Sequence, residues 1–144
     1  MGAGDPEYFT RRGTPRRPSD LENHACLGYS YLMSGETWRF KDASGAEEAV
    51  NINARLNANI AEALCASLDA GEGIALQPDF IAWQSVKAGR LIPVLTDWST
   101  PPLALNLVTP GGGPRAIRTR VLLDFLTHRF ATGSAPWTVT LPAD

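Results

Sequence analysis

The chain is poor in the residues that announce several common classes of protein. It has two cysteines in 144 residues, Cys26 and Cys65. Two cysteines are too few for a disulfide scaffold, and their separation matches no metal-ligand spacing. Both read as reduced core residues. It has two histidines, His24 and His128, far apart in sequence. Neither stands in an HExxH motif, and no GxSxG elbow occurs. It lacks a strong charge of either sign, since thirteen basic against fifteen acidic residues leave a net charge of -2. A nucleic-acid-coating surface needs a marked basic excess. It also lacks any apolar run near the roughly 20 residues of a membrane helix. The opening stretch MGAGDPEYFTRR has no apolar core for a secretory signal, so the expected location is the cytoplasm. No cofactor motif is visible. Gly71-Glu72-Gly73 lacks a third glycine and follows a helix, where a dinucleotide loop follows a strand.

What is present is an ordinary globular composition, 44% hydrophobic and 19% charged. Asp5 caps a predicted helix over Pro6 to Arg12, with Gly13 behind it. Ser19 offers a cap for a short turn through Asn23. Ala25 to Tyr29 is a compact apolar run, the mark of a buried strand. Thr37 to Lys41 alternates apolar and polar residues, and so does the run Val50, Ile52, Ala54, Leu56, which predicts a hairpin about the turn Asp42-Ala43-Ser44-Gly45. Trp38 and Phe40 read as hairpin core. The period then lengthens: Ile60, Ala63, Leu64 and Leu68 share a helical face, with Asn59 as the expected N-cap and Gly71 or Gly73 as the stop. Gly73 to Gln77 reads as a buried strand ended by Pro78, Asp79 to Ala88 as a helix, and Leu91 to Leu95 as a strand near an edge because Pro93 cannot donate to a ladder. A strand over Leu103 to Val108 and a helix from Pro114 to Phe130 close the pattern. This last helix carries an apolar stripe of Ile117, Val121, Leu122, Phe125 and Leu126. Strands alternating with helices predict an α/β fold around a mixed sheet.

Catalytic constellations are weak. Glu47, Glu48 and Glu62 read as solvated carboxylates, Cys65 as a small hydrophobe within a helix, and no nucleophile-base pair or metal set stands out. The expectation is a protein that is not an enzyme. Binding signals are stronger. Asn57-Ala58-Asn59 joins the end of an alternating strand to a helix start, where free N–H groups and the helix dipole favour an anion such as a carboxylate. Gln77-Pro78 lies at the carboxyl end of a buried strand, where open α/β sheets place ligands. Tyr29 and Ser30, at the end of another strand, offer hydroxyls and an aromatic face. Asn59 as a simple cap and Tyr29 as a core aromatic are the structural alternatives. Arg11, Arg12, Arg16 and Arg17 crowd the first connector and read as a solvated surface.

In sequence order, these features resemble a known family. The run Asp5 to Phe9 through Arg12-Gly13-Thr14-Pro15, then Pro18 to Leu21 and His24 to Leu27, resembles the effector-binding domain of LysR-type bacterial transcriptional regulators. Ser34-Gly35 before Thr37-Trp38-Arg39-Phe40, Asn57 through Leu64 into Ala70 to Pro78, Gly89 to Leu95, and Asp124-Phe125-Leu126 continue the pattern. The resemblance implies a periplasmic-binding-protein-like (type 2) fold of two α/β subdomains that hold an effector in a cleft. It divides the chain into an N-terminal extension (1–4), the second regulatory subdomain (5–101), a returning strand and helix of the first subdomain (102–131) and a loosely held tail (132–144). The expected ligand-binding residues are Tyr29, Ser30, Asn57, Asn59, Ile60, Gln77 and Pro78, with no catalytic or metal residues. The expected partners are a small-molecule effector, an anionic carboxylate among the candidates, and a second copy of the chain. DNA is expected only through a winged helix-turn-helix that these residues do not encode. The alternative is an oligomerisation module or a truncated remnant without ligand binding.

Overall fold

A computed structural model of the chain describes residues 1–30, 36–104, 106–109, 116–131 and 137. Contacts group it into two units, Met1–Pro102 and Leu103–Asp144.

The first unit is built on a five-stranded sheet. Its strands are β1 (Gly2–Gly4), β2 (Cys26–Tyr29), β5 (Ala54–Ala58), β6 (Ile74–Leu76) and β7 (Ile92–Val94), in the spatial order β5-β2-β6-β1-β7. Strand β2 runs parallel to both β5 and β6, while β1 is antiparallel to β6 and β7. A separate antiparallel hairpin joins β3 (Thr37–Lys41) to β4 (Glu47–Asn51). Its turn is held by Asp42, whose carboxylate accepts N–H groups of Ser44 and Ala46. Ser99 extends the hairpin by a backbone bridge to Lys41.

Successive residues of a strand face opposite sides, and both central strands obey this period. Cys26 and Ile74 join one core with Tyr8, Phe9, Leu21, Trp38, Phe40, Val50 and Ile52. Leu27 and Ala75 join a second core with Leu64, Leu68 and Leu91. Helix α1 (Pro6–Arg12) seals the first. Asp5 accepts the Glu7 and Tyr8 N–H groups at 2.8 and 3.1 Å, Pro6 opens the first turn, and Gly13 at φ 80° ends it. The second face carries a four-residue 3-10 turn (Ala61–Leu64) that runs into α2 (Cys65–Asp69); α3 (Asp79–Lys87) also belongs to this unit. Edge placement of Pro93 in β7 agrees with its missing N–H.

Several local expectations differ from the structure. Residues 2–4 form a central strand, although Gly-Ala-Gly has little strand propensity. Small residues are what the site requires: a Cβ on Gly4 would lie 2.8 Å from the Phe9 ring. The alternating run from Val50 to Leu56 is two strands, not one. Val50 and Ile52 stay in the hairpin core, and the chain then crosses to the large sheet, where Leu56 is exposed. Alternation reports a face and is blind to a change of partner. Ser19 does not cap the turn at Pro18–Asn23. Asp20 does so, its carboxylate accepting the Arg16 and Arg17 N–H groups, while the Ser19 N–H goes to Glu48. Asn59 is not an N-cap: Ile60 holds that position with no side-chain cap bond.

In the second unit, α4 spans Ile117–Ala131. Its expected start at Pro114 and the Gly111–Gly113 loop lie outside the described residues, as do the Met33–Gly35 loop and nearly all of the tail. Residues 103, 104 and 106–109 carry no strand pairing. A strand exists only against a partner, and no other extended segment with a ladder is described in this unit.

Candidate functional site

The parallel alignment of β5, β2 and β6 brings three chain segments to one end of the sheet. Tyr29 pairs with Ala58, and the Ser30 N–H donates to the Ala58 carbonyl at 2.8 Å, so the β2 and β5 exits are side by side. Strand β6 follows on the other side of β2, with Leu27 opposite Ala75, so Gln77 and Pro78 emerge at the same end. All seven ligand-binding candidates (Tyr29, Ser30, Asn57, Asn59, Ile60, Gln77 and Pro78) therefore lie where the parallel strands deliver their carboxyl ends. Ser30, Asn57, Asn59 and Ile60 are exposed, Tyr29 and Pro78 are half-buried, and Gln77 is buried.

Gln77 organises this end. Its backbone N–H donates to the Met1 carbonyl at 2.9 Å. Its side-chain Nε2 donates to the Ala61 carbonyl at 3.0 Å. That bond ties the β6 exit to the first residue of the 3-10 turn that follows β5. The side-chain Oε1 is buried with no hydrogen-bond partner among the described residues. A buried amide oxygen left unpaired costs about 1–3 kcal/mol, and a donor brought by a ligand would recover it.

Gly28 also contributes, and it was not among the sequence candidates. A Cβ there would collide with the Asn57 side-chain oxygen, so the missing side chain is what lets Asn57 lie over β2. An isolated glycine inside an apolar strand is the signal that could have marked it. The Ala61 carbonyl carries no sequence signal at all, because it acts through the backbone.

The helix start expected beyond Asn59 is a short 3-10 turn. The field of a helix end is confined to its terminal turn and needs aligned peptides behind it. The polar groups at the strand ends, rather than a long helix dipole, are the chemistry on offer here.

Elsewhere the titratable groups serve structure. Burial pushes the Cys26 thiol up to about 12. Cys65 is raised by burial and then by Asp69 and Glu62, so neither thiol is poised as a nucleophile. Cys65 is half-buried rather than a full core residue. Glu47 pairs with Lys41 at 3.2 Å, and Glu62 is exposed. No group of three metal-ligating side chains occurs among the described residues, and no described helix is long and apolar enough to cross a membrane.

A mixed sheet of this topology, with polar groups collected at the ends of its parallel strands, defines an α/β domain of the type 2 periplasmic-binding-protein-like class. Comparison with known proteins gives the family. The model of the LysR substrate binding domain matches residues 3–131. The HTH-type transcriptional regulator CrgA of Neisseria meningitidis is 34% identical over 124 residues, covering 85% of this chain and 41% of that protein. The uncharacterized HTH-type transcriptional regulator YcaN of Escherichia coli is 35% identical over 124 residues, covering 86% of this chain and 40% of that protein. The solved regulatory domain of CrgA superposes with a TM-score of 0.65 at 29% identity, covering 89% of this chain and 62% of that one. The chain belongs to the LysR substrate-binding domain family, the regulatory part of LysR-type transcriptional regulators. It spans about two fifths of the length of the curated relatives it matches.

Proposed function

We propose that these residues form the effector-binding portion of a cytoplasmic LysR-type regulator, and that a small-molecule effector binds at the carboxyl ends of β2, β5 and β6. The observation that carries this reading is the convergence of Ser30, Asn57, Asn59 and the half-satisfied Gln77 at one end of three adjacent strands. Asn57, Asn59 and Ser30 offer hydrogen bonds, Tyr29 and Ile60 apolar contact, and Pro78 shapes the wall. Small carboxylates that also carry a hydroxyl or amino group are the first class to test, since amide and hydroxyl donors suit the carboxylate oxygens and the free Gln77 oxygen needs a donor. In this reading residues 5–101 act as the second regulatory subdomain, with 102–131 returning to the first. The bound effector would shift the angle between subdomains of the intact regulator and so its grip on DNA. No catalytic step is involved.

The test is thermal melting of the chain with a panel of small carboxylates and aromatic acids. A true ligand at a hundredfold excess over its dissociation constant adds about 2.7 kcal/mol of stability. Asn57→Leu should abolish the shift. No stabilisation by any member, or a shift that survives Asn57→Leu, would count against the assignment.

The exposed stripe on α4 favours a second reading, in which the chain works as an oligomerisation module. Ile117, Val121 and Phe125 are 78%, 60% and 62% exposed. Light scattering that finds only monomer at high concentration would remove this reading.

A further inference from the structure

Strand β3 is covered by β4 along one edge and by a single residue along the other. The hydrogen bonds fix which backbone groups face outward. The Asp42 N–H donates to the Ala46 carbonyl, and the Glu36 carbonyl accepts from the Ile52 N–H, so both residues bond towards β4. Bonding direction alternates along an antiparallel strand. Trp38 and Phe40 therefore bond to β4 as well, while Thr37, Arg39 and Lys41 turn their N–H and carbonyl groups to the outer edge. Lys41 is satisfied there, because it exchanges two bonds of 2.8 Å with Ser99. Thr37 and Arg39 have no backbone partner on that edge among the described residues.

The reason lies in the sequence. Antiparallel pairing that starts at Lys41 and Ser99 sets Pro101 opposite Arg39, and a proline has no N–H to give to a ladder. The ladder stops after one pair. A cavity of about 260 Å³ lies there, lined by Arg39, Phe40 and Lys41 of β3, by Glu47 and by residues 99–102. The charges on the outer face of the hairpin are unequal. Lys41 pairs with Glu47 at 3.2 Å. Arg39 is exposed, stands opposite Ala49 and makes no ion pair among the described residues. The open edge thus offers two N–H groups, two carbonyls and one uncompensated positive charge.

We propose that the Thr37–Arg39 edge of β3 takes up an acidic, extended peptide segment, which continues the ladder that Pro101 interrupts. Strand addition of this kind draws its affinity from main-chain bonds and its specificity from side chains at alternate positions. One residue of the segment exchanges two bonds with Arg39, and the residue two places on exchanges two with Thr37. The first of these stands directly opposite Arg39 on the outer face, where a carboxylate complements the guanidinium. A second copy of the same edge fits less well, because it brings its own Arg39 and Lys41 to a basic edge. The surface belongs to the hairpin and is separate from the strand carboxyl ends of the large sheet.

The probe is the peptide acetyl-Glu-Val-Thr-amide, added at constant ionic strength and followed by backbone amide NMR. The expected result is a saturable shift at Thr37 and Arg39 with slowed amide exchange at both. Methylation of the peptide's Glu nitrogen removes the N–H that the Arg39 carbonyl accepts, and should abolish the shifts. A peptide with Lys in place of Glu should bind about fivefold more weakly. Arg39→Glu should reverse that preference, and melting curves confirm that the variant is folded. No saturable shift at Thr37 and Arg39, equal binding of the methylated peptide, or an unreversed preference in a folded Arg39→Glu would overturn the proposal. So would a doubled mass without peptide together with slow exchange at the same two amides, which would assign the edge to a second copy of the chain.

Discussion

Helix α1 has seven residues and buries Tyr8 and Phe9, whereas α4 has fifteen and leaves Ile117, Val121, Leu122 and Phe125 each more than half exposed. The apolar residues of α1 are the adjacent pair Tyr8 and Phe9, whereas those of α4 recur at helical spacing. The short helix is stabilised by a cap at each end and by the core beneath it. The long helix has no buried residue among those described. Burying a Phe or Leu side chain is worth about 1.5–3 kcal/mol, so a partner that covered the stripe on α4 would add stabilisation of that order per residue. The periodicity of a helix names the face that seeks a partner. It does not say whether the partner lies in the same chain.

The contrast can be broken or sharpened by substitution. The largest effect is expected in the first unit at Trp38, which is 1% exposed within the hairpin core. Trp38→Ala should cost about 3–5 kcal/mol and unfold the chain or nearly so, as read by urea denaturation. Gly73→Ala comes next. A Cβ there meets the Ala25 carbonyl oxygen, a backbone atom that cannot swing away. A loss of about 1–3 kcal/mol is expected from that overpacking. Asp5→Ala removes the side-chain cap of α1 and should cost about 1 kcal/mol. Phe125→Ser on α4 should change the stability of the monomer by less than about 0.5 kcal/mol. If the chain self-associates through the stripe, the same variant lowers the mass seen in solution. A large loss of monomer stability from Phe125→Ser would erase the contrast between the helices.

A pH dependence sharpens the account of the first unit. Burial, and secondarily Arg12, holds His24 below its ordinary value, against an opposing pull from Asp20. A histidine depressed in the folded state contributes stability that is complete above its unfolded pKa, near 6.5, and is lost as pH falls. Stability should therefore decline below pH 6.5, and His24→Asn should flatten that decline. An unchanged slope would assign the acid sensitivity to other groups.

Legibility in the sequence followed the range of the interaction. Asp5, Pro6 and Gly13 act within a turn of one another, and the bounds of α1 were readable from them. The cores were readable from alternation, since Leu27 and Cys26, or Ile74 and Ala75, are adjacent residues on opposite faces. Elements defined by distant partners were not readable. Gly2–Gly4 becomes a strand only between β6 and β7, and the break near Asn53 exists because the chain changes sheets there. At the candidate site the strand-end positions of Tyr29, Asn57 and Gln77 were legible, because strand exits can be inferred from apolar runs. The bond from Gln77 to the Ala61 carbonyl and the clearance over Gly28 were not, because they depend on which strands become neighbours.

The most direct test of the central claim is residue-resolved. Backbone amide NMR of the chain, titrated with the carboxylate that best raises its melting temperature, reports where the ligand sits. The account predicts saturable shifts concentrated at Ser30, Asn57, Asn59, Ile60 and Gln77, lost together in Asn57→Leu. Shifts spread over α4, or confined to residues away from the carboxyl ends of β2, β5 and β6, would contradict it.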